Sequence, residues 1–278
     1  MTEICFDEAL EAARELDKEF KTTRKLKGPL HGLPVSIKDH VNVAGLRSTL
    51  GYCCWADNIP SEDAVLVKAL KRAGAIIFVK TTMPVTGMAI ETVSQLWGRT
   101  LNGFNRSLVS GGSSGGEGAL VGLYGSPMGI GTDIGGSIRV PCAFNGLYGI
   151  RPSTRRLSYE GITSNVSGSR AIAAAIGPMC HSVRDVELIC KVVTDAQPWL
   201  EDIGVVPINW QPRPSISEKL SIGILRFDGV VMPHPPVLRG LDEATHKLRV
   251  AGHEVIEFVP YQHQRAWDIA VCSAFPIP

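Results

Sequence analysis

Two glycine-rich segments that each carry a serine, together with an earlier lysine, could carry out acyl transfer. The segments are 111–118 (GGSSGGEG) and 131–139 (GTDIGGSIR), and the lysine, Lys38, ends a short apolar stretch. Acyl transfer needs a nucleophile, a base that takes its proton and donors that stabilise the oxyanion. A relay through Ser113 and Ser137 to Lys38 would supply the first two without a histidine. Successive glycines would let backbone N–H groups approach the tetrahedral oxygen closely.

The glycine-rich part of the chain also invites comparison with nucleotide-binding motifs. Eleven of the 29 glycines lie within 111–136. A P-loop requires a lysine followed by Ser or Thr after its last glycine, and no such lysine is present. The dinucleotide fingerprint G-x-G-x-x-G fails as well, because the residue at its third glycine position is Ile134. Neither nucleotide-binding interpretation therefore holds.

A third motif, the nucleophile elbow G-x-S-x-G of the α/β-hydrolases, matches formally at 111–115 and at 112–116. In a segment this rich in Gly and Ser the match carries little information. The elbow also needs a downstream Asp and His, and the candidates His246 and His253 lie outside any loop-like motif. An α/β-hydrolase esterase stays as an alternative, and it predicts that a histidine, not Lys38, is essential.

Residues 111–120 and 131–141 resemble the signature of the amidase signature family of serine amidohydrolases nearly letter for letter. Lys38 precedes Ser113 by 75 positions and Ser113 precedes Ser137 by 24, spacings that agree with the catalytic residues of that family. Within the family, the chain is most similar to the fungal acetamidase and general amidase branch. The segments that carry the resemblance are 28–54, 61–80, 91–102, 111–156 and 176–190.

The resemblance implies a role for each residue of the relay. Ser137 resembles the acyl-forming nucleophile, and Ser113 the bridging serine that the family holds after a cis peptide bond, here Gly112–Ser113. Lys38 resembles the base, which must lose its proton near neutrality although the ordinary pKa of lysine is about 10.4. The residues that resemble the oxyanion and substrate-binding backbone are Ile134, Gly135, Gly136 and Ser137. Those expected to support the two loops are Ser114, Asp133 and Arg139.

The activity implied is hydrolysis of a carboxamide through an acyl-serine intermediate, with release of ammonia or an amine. Such a reaction would serve small-amide catabolism or secondary-metabolite biosynthesis. The expected partner is a small-molecule amide, with no metal and no organic cofactor, and a homodimer is left open. Enzymes of this family are usually much longer, so a truncated amidase-like protein with weak or no turnover is the alternative.

Three further residues near the relay are expected to have structural roles only. His31 and His40 flank the lysine, and the mechanism that the resemblance implies needs neither of them. We therefore predict that both are packing residues. Cys142 follows the second glycine-rich segment and is expected to be a small buried apolar group.

Helical and strand patterns alternate along the chain, which argues for an α/β fold. The resemblance implies the amidase-signature fold, with a central mixed β-sheet flanked by α-helices and truncated at both ends relative to the family. We expect one partial domain over 1–278, with 196–217 as an irregular surface connection. The predicted strands are 32–38, 75–79, 220–227 and 254–259. The predicted helices cover 9–20, 61–73 with Ser61 as N-cap, 182–193 with Ser182 as N-cap, and 236–252.

Charge and cysteine content indicate which binding partners and which cellular compartment to expect. Lys and Arg number 28 against 27 for Asp and Glu, which gives no electrostatic case for nucleic acid or an anionic membrane. The longest stretch without a charged residue, 118–132, is too short to cross a bilayer. Acidic residues near the start argue against a signal peptide. Seven scattered cysteines without a C-x-x-C pair are typical of a reduced protein, so we expect a cytoplasmic location.

Overall fold

The structure, a computed structural model, describes residues 1–165, 172–211 and 218–274. The chain divides into two units, Met1–Ser169 with Ala173–Trp210, and Arg170–Ile172 with Gln211–Pro278. The larger segment of the second unit, Gln211–Pro278, thus begins within the expected surface connection 196–217, of which 212–217 lie outside the described residues. A single partial domain over the whole chain stays a prediction.

A six-stranded mixed sheet forms the centre of the first unit. In spatial order its strands are β1 (Glu3–Ile4), β3 (Ile76–Thr81), β2 (Pro34–Lys38), β6 (Met128–Asp133), β8 (Ala175–Cys180) and β7 (Tyr148–Gly149). β2 runs parallel to both β3 and β6, whereas the outer pairings are antiparallel. Because neighbouring parallel strands end at the same edge of a sheet, the last residues of β2 and β6 come together there.

Within its described residues the first unit has five α-helices: α1 (Phe6–Thr23), α2 (Val65–Arg72), α3 (Gly115–Gly122), α4 (Arg139–Asn145) and α5 (Val183–Asp195). A hairpin of β4 (Val93–Ser94) and β5 (Gly98–Arg99) lies between β3 and α3 in the chain. The apolar core joins the sheet to α2 and α5. Its fully or nearly fully buried members include Ile37, Leu70, Ile130, Ile176 and Val193.

The helix starts show where local sequence decides and where it does not. Ser182 caps α5 as predicted, because its side chain accepts the Asp185 N–H at 3.1 Å. The predicted cap Ser61 is wrong, since α2 begins at Val65 after Ala64. The N–H of Ala64 donates instead to the Asn42 carbonyl at 2.9 Å, and such long-range pairing holds the preceding residues outside the helix.

The second unit confirms the strand–helix–strand pattern expected for that part of the sequence. β9 (Ser221–Ile224) and β10 (Glu254–Glu257) pair in parallel, and α6 (Pro235–Val250) connects them. α7 (His263–Ala274) follows. Over the described residues of both units, no helix combines the length and the apolar character that a membrane crossing requires.

Candidate active site

Lys38 projects from the last position of β2 into a fully buried polar site. Its Nζ lies 2.7 Å from the Ser113 Oγ and 2.9 Å from the Thr132 Oγ1. Four of the five β2 residues are buried, and the pairing of β2 with β3 and β6 fixes where the lysine emerges. The structure therefore brings together two of the three residues expected to form the relay.

Burial lowers the pKa of Lys38 to about 7, although the negative charges of Asp133, Glu117 and Asp39 oppose that change. Desolvation penalises the ammonium form, and three carboxylates recover only part of the loss. A large fraction of the amine is consequently neutral near pH 7. A neutral amine has a lone pair, so it can accept a proton from the hydroxyl beside it.

The segment that carries Ser113 is held close to neighbouring backbone. The Gly112–Ser113 peptide bond is cis, as the resemblance implies. A side chain at Gly112 would lie 2.6 Å from the Ala89 carbonyl oxygen, so only glycine fits there. Ser114 ties the segment to β6, because its hydroxyl donates to the Thr132 carbonyl at 3.2 Å.

Ser137 lies in the loop between β6 and α4, next to the segment that carries Ser113. Its carbonyl accepts the Ser114 N–H at 3.1 Å, which joins the two glycine-rich segments through their backbones. The side chain is nearly buried, and its hydroxyl makes no hydrogen bond within the part of the chain that the structure describes. The two glycine-rich segments are thus joined through their backbones, and no hydrogen bond between the Ser113 and Ser137 hydroxyls is formed among the described residues.

Asp133 organises the loop that carries Ser137. Its fully buried carboxylate accepts the N–H of Gly136 at 2.7 Å and of Ile138 at 3.0 Å, and it forms an ion pair with Arg139. Burial favours the protonated acid, yet the hydrogen bonds from Arg139 and the two N–H groups lower the pKa to about 2. The structure places the side chains of Asp133 and Arg139 against this loop, and their role in supporting the active site stays a prediction.

One of the four expected oxyanion donors is already engaged. The N–H of Gly136 points to Asp133, so the expectation that it stabilises an oxyanion needs correction. The N–H groups of Ile134, Gly135 and Ser137 make no hydrogen bond to other residues that the structure describes. Open space surrounds the α-carbon of Gly135 on the side where a side chain would lie.

His40 is not the packing residue that the sequence suggests. Its buried ring has Nε2 at 2.8 Å from the Thr132 Oγ1 and Nδ1 at 3.2 Å from the Thr163 carbonyl oxygen. Thr132 in turn contacts Lys38, so the histidine is one hydroxyl away from the proposed base. His40 lies in the turn after β2, which the Val41 N–H closes by donating to the Lys38 carbonyl at 3.0 Å, and no local sequence pattern indicates its contact with Thr132. His31 does pack, against Phe20.

Glu117 was missed by sequence reasoning. It lies in the first turn of α3, where acidic residues are usually exposed, but here it is fully buried. Its carboxylate accepts the hydroxyls of Ser36 at 2.6 Å and Thr81 at 2.7 Å. Burial raises its pKa to about 7, against those two hydrogen bonds and the charge of Lys38. The packing of α3 against β2 and β3 is what reveals the site.

The remaining reactive side chains add little to the site. Burial raises the pKa of Cys142 to about 12, which is consistent with a small buried group rather than a reactive thiol. Among residues 1–165, 172–211 and 218–274, no group of three or more His, Cys, Asp or Glu side chains is arranged to hold a metal ion.

The sequence is similar to a known protein family and to curated fungal proteins. The model of the Amidase family matches residues 1–276. An amidase of Gibberella zeae is 50% identical over 264 residues, which cover 95% of this chain and 48% of the relative. The acetamidase of Emericella nidulans is 45% identical over 270 residues, or 95% of this chain and 49% of the relative.

Solved structures agree with the sequence relatives. A fatty acid amide hydrolase superposes with a TM-score of 0.94 at 39% identity, covering 98% of this chain and 48% of its own. The peptide amidase of Stenotrophomonas maltophilia gives a TM-score of 0.75 at 29% identity, covering 96% and 55%. The chain spans about half the length of the curated relatives it matches. Its sheet of mixed strands flanked by helices is the amidase-signature fold, and the chain belongs to the amidase family.

Proposed function

We propose that the protein hydrolyses a carboxamide through an acyl-enzyme on Ser137, with Ser113 and Lys38 as the proton relay. One observation supports this more than any other. A fully buried lysine with a pKa near 7 has its Nζ 2.7 Å from the hydroxyl of a serine in the family's signature segment. A buried lysine with a lowered pKa can take a proton from the neighbouring serine hydroxyl, unlike a solvated surface lysine, which stays protonated.

In the first step, the Ser137 Oγ attacks the amide carbon and a C–O bond forms. The Ser137 proton passes to the Ser113 Oγ, and the Ser113 proton passes to Lys38, which becomes an ammonium. The Ser113–Ser137 hydrogen bond forms when substrate is bound, since catalytic contacts often tighten only in the complex. The oxyanion is stabilised by the N–H groups of Ile134, Gly135 and Ser137.

In the second step, the C–N bond breaks and the leaving nitrogen receives the proton from Lys38 by way of Ser113. Ammonia or an amine departs. A water molecule then attacks the ester carbon, gives one proton to the same relay, and the Ser137 oxygen leaves and regains its proton. The products are a carboxylic acid and the free enzyme, and neither step involves a metal or an organic cofactor.

The substrate is a small-molecule amide in this proposal. Relatives carry the names acetamidase and fatty acid amide hydrolase, so both short and long acyl groups are candidates. Small-amide catabolism and secondary-metabolite biosynthesis are the two proposed settings. We place the enzyme in the cytoplasm because its seven cysteines are all free, as is usual in a reducing compartment. A homodimer stays open.

Two alternatives predict different outcomes. The first alternative is an amidase-like protein without turnover. An α/β-hydrolase esterase would need a histidine beside its serine, but the hydroxyl of Ser113 faces Lys38. His246 and His253 belong to the second unit, where His253 accepts the Leu220 N–H.

Labelling with a fluorophosphonate probe, followed by assays on a panel of short, aromatic and long-chain amides, tests the proposal. We expect the probe to label the native protein and to lose its target in Ser137→Ala, whereas the surface variant Ser107→Ala still reacts. Lys38→Met should lower hydrolysis by about 10³-fold. Absence of labelling in well-folded protein would favour the inactive alternative. Labelling that persists in Ser137→Ala would refute the nucleophile, and loss in His246→Ala or His253→Ala would favour the esterase.

A further inference from the structure

We propose that His40 sets the direction of the hydrogen-bond chain that ends on Lys38, so that the amine keeps its lone pair for Ser113. His40 is a positioning residue in this scheme, since it acts through Thr132 and touches neither substrate nor the reacting atoms. The inference rests on the proposed function, because it concerns Lys38 as the proton acceptor.

The two partners of the His40 ring determine which nitrogen carries the proton. Nδ1 lies 3.2 Å from the carbonyl oxygen of Thr163, and Nε2 lies 2.8 Å from the Thr132 Oγ1. A carbonyl oxygen only accepts hydrogen bonds, so Nδ1 must be the N–H. In a neutral imidazole the other nitrogen then has a lone pair, and Nε2 can only accept.

Backbone pairing holds the Thr163 carbonyl in place beside the ring. The Thr163 N–H donates to the His40 carbonyl at 2.8 Å, and the Asn42 N–H donates to the Gly161 carbonyl at 3.1 Å. The Thr163 hydroxyl also donates to the Asn42 Oδ1 at 2.7 Å. Three contacts thus join two segments more than 100 positions apart, and the tautomer of His40 is a consequence of the fold.

The ring stays neutral when Lys38 gains or loses its proton. Burial holds the pKa of His40 well below its ordinary value, and the positive charges of Lys38 and Lys80 lower it further, against the hydrogen bond to Thr163. An imidazolium would put a second proton on Nε2 and reverse the hydrogen bond to Thr132. Its exclusion keeps Nε2 an acceptor throughout the reaction.

Thr132 transmits this direction to Lys38. Its hydroxyl has a single hydrogen, and that hydrogen is donated to the Nε2 of His40. The Thr132 Oγ1 must therefore accept from Lys38, whose Nζ is 2.9 Å away. One N–H of the neutral amine is then committed to Thr132, and the lone pair is left for the Ser113 hydroxyl at 2.7 Å.

Without the acceptor at position 40, the Thr132 hydroxyl can donate to the amine, or to the hydroxyl of Tyr159, with which Thr132 also forms a hydrogen bond. Donation to the amine would compete with Ser113 for the only lone pair of Lys38, so a fraction of the molecules would be unable to take the proton. The same donation would stabilise the neutral amine relative to the ammonium. The pKa of Lys38 would then fall.

The other charged groups around the relay are unchanged by substitution of His40. Asp133, Glu117 and Asp39 act on Lys38. Tyr159 interacts with Thr132, and because burial raises the pKa of its phenol to about 12, it adds no charge near neutrality. A change in the pH profile of a His40 variant can therefore be assigned to the loss of the acceptor.

The kinetic test compares His40→Leu, which has no acceptor, with His40→Gln, whose amide oxygen can replace Nε2. We expect His40→Leu to lower kcat about tenfold with little change in KM, and to move the acid limb of the kcat profile to lower pH. His40→Gln should recover most of that loss. A drop in kcat without a shifted limb, or no change at all, would show that His40 is structural only.

A second comparison asks whether His40 acts through Thr132. If it does, His40→Leu should cost little further activity in a Thr132→Val background, because the hydroxyl it orients is already gone. If the losses of kcat in the two single variants multiply in the double variant, His40 does not act through Thr132. If Ser137→Ala and Lys38→Met leave hydrolysis intact, the proposed function fails. If they abolish it while His40→Leu has native kinetics, only this inference fails.

A measurement on the native protein needs neither activity nor a folded variant at position 40. Nitrogen-15 NMR of histidine-labelled protein should show His40 with a protonated Nδ1 and an unprotonated Nε2, and no change of state down to pH 5.5. His31 is the internal control, because its Nδ1 accepts the Lys27 N–H at 2.9 Å and must show the opposite tautomer. A His40 ring protonated on Nε2 would overturn the proposal.

Discussion

Asp133 and Arg139 form a two-point ion pair across the loop that carries Ser137. The guanidinium donates from Nε to Oδ2 at 3.0 Å and from Nη2 to Oδ1 at 2.9 Å. Asp133 ends β6 and Arg139 begins α4, so the pair closes the turn between them. The same carboxylate accepts two N–H groups within the loop. Donors held in this way are oriented before substrate arrives.

Replacing Asp133 should therefore harm activity more than replacing Arg139. In Asp133→Asn one acceptor oxygen becomes a donor, and a buried N–H of Gly136 or Ile138 loses its partner. We expect kcat to fall by about 10²-fold and stability by about 1–3 kcal/mol. Arg139→Ala leaves those N–H bonds intact, and because its guanidinium is 55% exposed water can replace part of the ion pair, so we expect a smaller loss of stability than for Asp133→Asn. Equal losses in kcat and urea midpoint would contradict this ranking.

The pH dependence of hydrolysis should follow Lys38. Its pKa near 7 means that activity is low below pH 7, where the ammonium cannot accept a proton, and rises above it. Ionised Glu117 favours the ammonium, and because its own pKa is raised to about 7 it gains that charge over the same pH range; Glu117→Gln should therefore lower the pKa of Lys38 and move the acid limb to lower pH. Profiles of kcat from pH 5 to 9 measure the shift. Glu91→Gln, which removes an exposed partner of Arg99, is the matched control and should leave the limb in place.

Local sequence was sufficient for much of the fold. The Ser182 cap predicts α5, and the buried run before Lys38 predicts β2, because both depend on residues a few positions apart. The start of α2 was misplaced, since contacts with residues distant in the chain determine it. Alternating strands and helices predict the α/β class, but the order of strands in the sheet was not predicted.

The site divides in the same way. The proximity of Lys38 and Ser113 was expected from a resemblance, since no local pattern brings together residues 75 positions apart. The environments of His40 and Glu117 could not be predicted, because their partners Thr163 and Thr81 meet them only through tertiary packing. Residue type at those positions carries no signal of burial, and burial is what gives each group its role.

Two glycines in the signature segments should differ in how much stability they lose when replaced by alanine. A side chain at Gly116 would lie 2.4 Å from the Thr82 nitrogen and 2.6 Å from its carbonyl oxygen, so backbone must move to admit it. We expect Gly116→Ala to lose about 1–3 kcal/mol of stability. Gly135 has nothing within 4 Å of that position, and Gly135→Ala should stay within about 0.5 kcal/mol of the native protein. Urea unfolding compares the two variants, and a destabilised Gly135→Ala would show that the space beside Gly135 is not open. If Gly135→Ala keeps native stability, a change in its KM would indicate that the added methyl group contacts the substrate.

The relay lysine should reduce the stability of the fold, and the reduction should depend on pH. The pKa of Lys38 falls from 10.5 to about 7 on folding, so between those values the unfolded chain binds the extra proton. Native stability therefore rises with pH across this window relative to Lys38→Met. Below pH 7 burying the charged lysine costs the native protein its full amount, roughly 4–5 kcal/mol. Lys38→Met avoids that cost, but it loses about 1–3 kcal/mol because Ser113 and Thr132 are left without their partner.

Urea unfolding at pH 6, 8 and 10 tests this expectation. At pH 6 Lys38→Met should be more stable than the native protein, and the difference in unfolding free energy should shrink as pH rises. Lys68→Met, which removes a surface lysine paired with Glu62, controls for losing a positive charge. An advantage independent of pH would mean that Lys38 stays charged in the folded protein, and the amine could not then be the base.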